Sequence, residues 1–196
     1  MELWQHRCLI VAVGFFSCSA IPQTTTKPHK VLTQEQQQFQ AEIAQWRTER
    51  EALQTKASHD LQSALKSGDD VVCNSAKSRM EAEMCLADAL KSANDNYAEF
   101  TSDLRSILAL AYPTIPGEKP TLGPKGSPQT SAEAVTEFER LESQSEAYRK
   151  AASTAAYNRF KGGTEAPVFE LETALKVLQI HLEELKFIYG AELSSH

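Results

Sequence analysis

The sequence is short of the residues that break helices. Glycine and proline occur only eight times each in 196 residues, and five of those prolines and three of the glycines fall in one stretch, 112–130. The rest of the chain is therefore left free for long helices. Aromatic residues make up only 8%, so any core is aliphatic and modest. A basic surplus is absent. The net charge is −6, which excludes nucleic acid as a partner, because phosphate binding needs a basic face. An acidic surface instead favours encounter with basic partners. No apolar run approaches the ~20 residues that span a bilayer. Catalytic constellations are missing too. Serines and histidines occur without a nucleophile elbow or an oxyanion glycine motif. Gly162-Gly163 has neither the preceding strand nor the following Lys-Ser/Thr of a phosphate loop. The chain therefore reads as a non-enzyme with no cofactor and no metal.

What is present begins with an export pattern. Arg7 is followed by a nine-residue apolar run, Cys8 to Phe16, and by the small residues Cys18-Ser19-Ala20. This reads as a signal peptide over 1–20, cleaved after Ala20. Acylation on Cys18 is the lesser reading, since the bulky Phe15 and Phe16 precede it. Export means a periplasmic or extracellular, oxidising destination, where disulfides persist. Residues 21–32 are polar and proline-containing, and read as a disordered leader.

Four helices are expected after the leader. Thr33-Gln34-Glu35-Gln36 is a capping box, and a near-heptad stripe follows: Phe39, Ile43, Trp46, Leu53, Ala57, Leu61, Ala64. That predicts a helix over 33–68. A second box, Ser78-Arg79-Met80-Glu81, opens a seam of Leu86, Leu90, Ala93, Tyr97, Phe100, Leu104, Ile107 and Ala111. The Pro/Gly-rich connection 112–130 ends it. A loop of that length is functional, a disordered linker, or a crossover between distant helix ends. Thr130 caps the third helix, whose expected seam is Phe138, Leu141, Ser145, Tyr148, Ala152 and Ala155. Gly162-Gly163 supplies a left-handed stop. Thr164 then caps the fourth helix, with Pro167 in its first turn and Val168, Leu171, Leu175, Leu178, Leu182, Leu185 and Tyr189 as its stripe. The short Gly-Gly link makes the last two helices an antiparallel hairpin. The fold class is all-α: an elongated antiparallel bundle of three long helices plus an N-terminal one.

Cys73 and Cys85 have eleven residues between them. On one continuous helix their Cα atoms would stand roughly 18 Å apart, far beyond disulfide reach. A helix start at Ser78 removes the conflict, because Cys73 then lies on the lead-in and can fold back onto Cys85. A disulfide is the expectation. Two free thiols are the alternative, and a metal site is weaker, for want of further ligands nearby.

These residues resemble the lysozyme-inhibitor LprI-like family of secreted bacterial proteins. The matching positions are Cys73, Glu81, Cys85 and Tyr97, then Ala147-Tyr148-Arg149, Ala155 and Tyr157, then Gly162-Gly163-Thr164-Glu165-Ala166-Pro167 and the Leu-rich helix to Tyr189. Together they cover about residues 70–193. Some positions depart from the family. Ser145 stands where the family has Trp, Ser153 and Thr173 where it has two further cysteines, and His181 where it has Arg. The paired loss of those cysteines implies that they bond each other in the family, which supports Cys73 with Cys85 here.

The resemblance implies an exported inhibitor of a lysozyme or another basic cell-wall hydrolase, acting by stoichiometric binding. A non-enzymatic envelope scaffold is the rival. Such hydrolases carry two carboxylates in their cleft. Lys119 and Lys125, on the proline-rich connection, are the residues expected to approach them. Tyr148-Arg149 is either a recognition pair or, more simply, an Arg paired with a carboxylate of a neighbouring helix. His181 and Glu184 lie three apart on one helix, but no third ligand is evident, so His181 reads as an ordinary exposed or interface residue. His59-Asp60 has the same weakness. Met80 and Met84 read as core filler.

Overall fold

The computed structural model describes residues 32–67, 73–114 and 130–194. The chain clusters into two units, 1–32 and 33–196, and the second holds every helix among the described residues. The expected signal peptide and leader, Cys18 included, lie outside the described residues, as do Lys119 and Lys125. No helix among the described residues is long and apolar enough to cross a membrane.

Four long helices form an all-α bundle: α1 Gln34–Ser67, α2 Arg79–Ala109, α3 Ser131–Arg159 and α4 Ala166–Ile188. A single turn, α5 Gly190–Leu193, closes the chain. Local chemistry sets the starts. Thr33 accepts from the Gln36 amide at 3.3 Å, and the Gln36 side chain accepts from Thr33 at 3.1 Å. Ser78 accepts from Glu81 N–H at 3.2 Å, while the Glu81 carboxylate reaches one residue further back, to Lys77 N–H at 2.7 Å. Thr130 and Glu133 complete a reciprocal box. Gly162 takes the left-handed φ of +91° that turns the chain after α3. The fourth start departs from expectation. Glu165, not Thr164, is the N-cap and makes no side-chain bond; the Thr164 carbonyl instead accepts from Arg79 of α2. Pro167 sits in the first turn, where its missing N–H costs nothing.

Neighbouring helices run in opposite directions. Trp46 of α1 reaches the Leu110 carbonyl, Lys56 reaches Asp103, and Ser67 reaches Asn96. On the other side α2 and α3 pair through Tyr97–Glu142 and Arg105–Glu139. The pairs Phe138–Tyr189 and Phe160–Phe169 register α3 against α4. α2 and α4 run the same way and also touch, whereas α1 and α3 do not meet. The cross-section is therefore a rhombus with α2 and α4 on its short diagonal. Its centre is aliphatic. Phe100, Leu104 and Ile107 from α2 meet Leu175, Leu178, Leu182 and Leu185 from α4, all fully buried.

Cys73 and Cys85 are bonded, with Cα atoms 5.8 Å apart. Cys73 lies in the short lead-in before Ser78, and Cys85 on the second turn of α2, so the bond clips the entry of α2 to its own helix. The connection between α2 and α3 is not a crossover between distant ends. Leu108 and Thr130 line one cleft, so the ends it joins are neighbours.

Closing a loop of this size removes about 3 kcal/mol of chain entropy from the unfolded state. A Cys73→Ser/Cys85→Ser variant should lose roughly 2–3 kcal/mol in denaturant unfolding. Hydrogen exchange should quicken over the first turns of α2 while α3 and α4 keep their protection. Loss of helicity in the α3–α4 hairpin on reduction alone would contradict this division.

Candidate functional site

α3 is the helix with the least to bury. Phe138 is its only buried side chain; Leu141 is partly buried, and much of the rest of its inner face is small or polar. A helix that gives up so little apolar surface needs another anchor. Glu142, one turn beyond Phe138, supplies it. One carboxylate oxygen accepts from the Tyr97 hydroxyl of α2. The other lies 2.9 Å from Nε2 of His181 on α4. His181 is buried, and its Nδ1 stands 3.4 Å from Glu184. The two carboxylates sit on opposite edges of the ring and cannot converge on one ion; among the described residues no cluster of three or more His, Cys, Asp or Glu could hold a metal.

Arg149 closes the cluster from the far side. Its guanidinium lies 4.8 Å over the Tyr97 ring, Nη1 is 3.5 Å from Asn94, and Nε is enclosed without a hydrogen-bond partner. The His181 ring meets Tyr97 edge-on at 5.9 Å. Burial pushes the Tyr97 phenol far above its ordinary 10.0; the Glu142 carboxylate adds to this and Arg149 opposes it. A phenol held so firmly neutral is neither a nucleophile nor a base. Tyr97, Glu142, Arg149 and His181 line neither the cleft beside Arg50 and Thr130 nor the groove beside Leu65 and Phe187. The arrangement is a polar clamp between three helices.

The remaining expected residues fall in several places. Tyr97 and Arg149, one from each stretch that carries the resemblance, meet in the clamp. Tyr148 does not: it is 65% exposed, and the inner face of α3 runs through Phe138, Glu142, Ser145, Arg149 and Ala152. The seam expected at Tyr148 and Ala155 is one residue out of phase, because Arg149 has the partner on α2 and Tyr148 has none there. Met80 and Met84 are 67% and 60% exposed, so they do not fill the core. Gly163 lies in the turn between α3 and α4, and Pro167 in the first turn of α4. His59 bonds Asp60 at 2.9 Å on an exposed face, and Asp60 also pairs with Lys56.

Sequence reasoning passed over three buried polar residues, Arg50, Gln54 and Asp103, and the partly buried Glu142. Each falls on an apolar stripe. Arg50 and Gln54 occupy the gap between Trp46 and Ala57, Asp103 follows Phe100 by three, and Glu142 follows Phe138 by four. That phase is the signal that could have found them. Asp103 takes Lys56 Nζ at 2.9 Å, and this bond, more than the one to Glu99, raises the Lys56 ammonium above its usual range. Gln54 donates to the Glu192 carbonyl at 2.7 Å, and Ser58 to that of Leu193 at 3.1 Å, so α1 holds the last turn of the chain.

Glu142→Ala strips a buried tyrosine and a buried histidine of their shared acceptor. It should cost about 3 kcal/mol in unfolding free energy. The Tyr97 contribution has a definite sign in pH. Its proton is held more tightly in the fold than in the open chain, so the stability it confers is whole below pH 10.0 and falls as pH rises above it. Tyr97→Phe should flatten that alkaline limb, followed by phenolate absorbance alongside circular dichroism.

Comparison with known proteins finds no matching family model, no similar curated protein and no similar solved structure.

Proposed function

We propose that this chain is an exported, non-catalytic binding protein of the cell envelope, whose target is a lysozyme-type hydrolase inhibited by stoichiometric contact. One observation carries the reading. The two separated stretches that carry the resemblance come together, with Tyr97 under Arg149 and His181 against the same ring. Residues matched only by spacing thus share one site. That site faces inward, so it shapes the bundle and leaves recognition to the outer surface. With a net charge of −6, that surface attracts a basic enzyme and speeds encounter. Lys119 and Lys125 remain the residues proposed to approach the enzyme's carboxylates, on the sequence argument alone.

A second reading has its own support. Phe187 is 90% exposed and Ile180 half exposed on the outer face of α4, beside Leu65 of α1. An apolar stripe of that kind suits a scaffold that holds a different protein partner.

Titration of the protein into lysozymes of several classes separates the two. The inhibitor reading expects muramidase activity to fall to its floor near equimolar ratio, with binding that weakens as salt rises. Activity unchanged at a large excess for every class would leave the scaffold. Lys119→Ala/Lys125→Ala should weaken inhibition; inhibition as strong as wild type removes the two lysines from the interface.

A further inference from the structure

At one end of the bundle the last turn of α2, the first turn of α3 and the last turn of α4 enclose a cleft of about 450 Å³. Arg50 forms part of its wall from α1. Only 9% of Arg50 is exposed, yet among the described residues its guanidinium donates no hydrogen bond. Its stacking partner is the Trp46 ring, 5.3 Å away, itself fixed by a bond to the Leu110 carbonyl and an edge contact with Tyr112. Burial holds the Arg50 guanidinium below its ordinary range, and Glu192, acting through space, opposes this. None of the Arg50 nitrogens is both fully enclosed and unpartnered, so they keep access to the cleft. A guanidinium on a side chain nine-tenths buried, with five donors that make no hydrogen bond among the described residues, is costly unless a ligand supplies acceptors in the right geometry.

Two neighbours define what that something is. The first turn of α3 opens onto the same cleft at Thr130 and Ser131. Its capping box uses the N–H groups of Thr130 and Glu133, which leaves the amides between them and the positive end of the helix dipole for an anion. Arg140 is already paired with Glu137 at 3.2 Å. Glu192, also on the wall, repels a second negative charge. The favoured ligand is therefore singly charged. The rest of the wall, Ile107, Leu141 and Ile188 among it, is apolar. The volume sits at the small end of ligand cavities.

We propose that this cleft is a binding site for a small monocarboxylate with an apolar body. The carboxylate is held by the Arg50 fork and the first turn of α3, and the body lies on Ile107, Leu141 and Ile188. A planar guanidinium takes a carboxylate through two parallel bonds, which an ammonium cannot match. The site is independent of the lysozyme reading, since Arg50 lies outside the stretch that carries the resemblance.

Calorimetric titration of the full chain with octanoate tests this, with octanol and inorganic phosphate as parallel arms. Octanoate should bind, and octanol and phosphate should each bind at least about tenfold more weakly. Arg50→Gln should lose octanoate binding by about tenfold or more, and Arg50→Lys should recover it only in part. With no ligand present, Arg50→Gln should melt no lower than wild type, because it removes a buried charge that lacks hydrogen bonds. That readout separates a ligand-binding Arg from a structural one. Octanol binding as well as octanoate, phosphate binding as well as octanoate, or unchanged binding by a folded Arg50→Gln protein would each overturn the proposal. So would no octanoate binding up to about 5 mM.

Discussion

The contact between α2 and α4 across the centre of the bundle governs the rest of the molecule. Phe100, Leu104 and Ile107 on one side and Leu175, Leu178, Leu182 and Leu185 on the other are the large, fully buried side chains. Burying each contributes about 2 kcal/mol, and no other helix pair assembles so many. With these two helices in contact, α1 and α3 are pushed to opposite flanks and never meet. Each must find its own way of holding on to the central pair.

They do so differently. α1 is long and lays Ala57, Leu61 and Ala64 into the groove beside α2. It adds polar holds at Lys56 and Gln54. α3 has the buried Phe138 and the partly buried Leu141. Its anchor is the Tyr97–Glu142–His181 clamp with Arg149 stacked outside, supplemented by the surface pair Arg105–Glu139 at 2.8 Å. Exposed pairs of that last kind add little. Buried ones are costly to break, because each orphaned partner then loses its hydrogen bond inside the protein. The two cysteines expected to pair α3 with α4 in the resembling family are Ser153 and Thr173 here. The Glu142–His181 bond and the ring pairs Phe138–Tyr189 and Phe160–Phe169 therefore help to hold that hairpin without a covalent bond.

The same division bears on function. The clamp is packed between three helices, and none of its residues lines the end cleft. The end cleft is the reverse: open, apolar in part, and lined by an Arg that nothing among the described residues hydrogen-bonds. A protein that keeps such an Arg accepts a stability cost at that position, and function is the usual reason for one. Interaction with a large partner, as proposed for the acidic surface, and capture of a small carboxylate in the end cleft use different faces and different chemistry.

Much of this architecture is legible in one dimension. Capping boxes at Thr33, Ser78 and Thr130 mark three helix starts because they are short-range hydrogen-bond patterns. Gly162 marks a stop because its conformation suits few other residues. Helix rise and the position of Ser78 make the disulfide possible, and the export pattern makes it the expectation. Phase is a different matter. Adjacent residues on a helix point about 100° apart, so a weak seam such as that of α3 cannot choose between Tyr148 and Arg149 by itself. The choice fell to Arg149 because Tyr97, on another helix, offers its ring there. Met80 and Met84 were left outside, and Arg50, Gln54, Asp103 and Glu142 taken inside, for the same kind of reason. A polar side chain is buried where a partner on a distant segment, or a cleft, makes its burial tolerable, and only the tertiary structure decides where those partners stand.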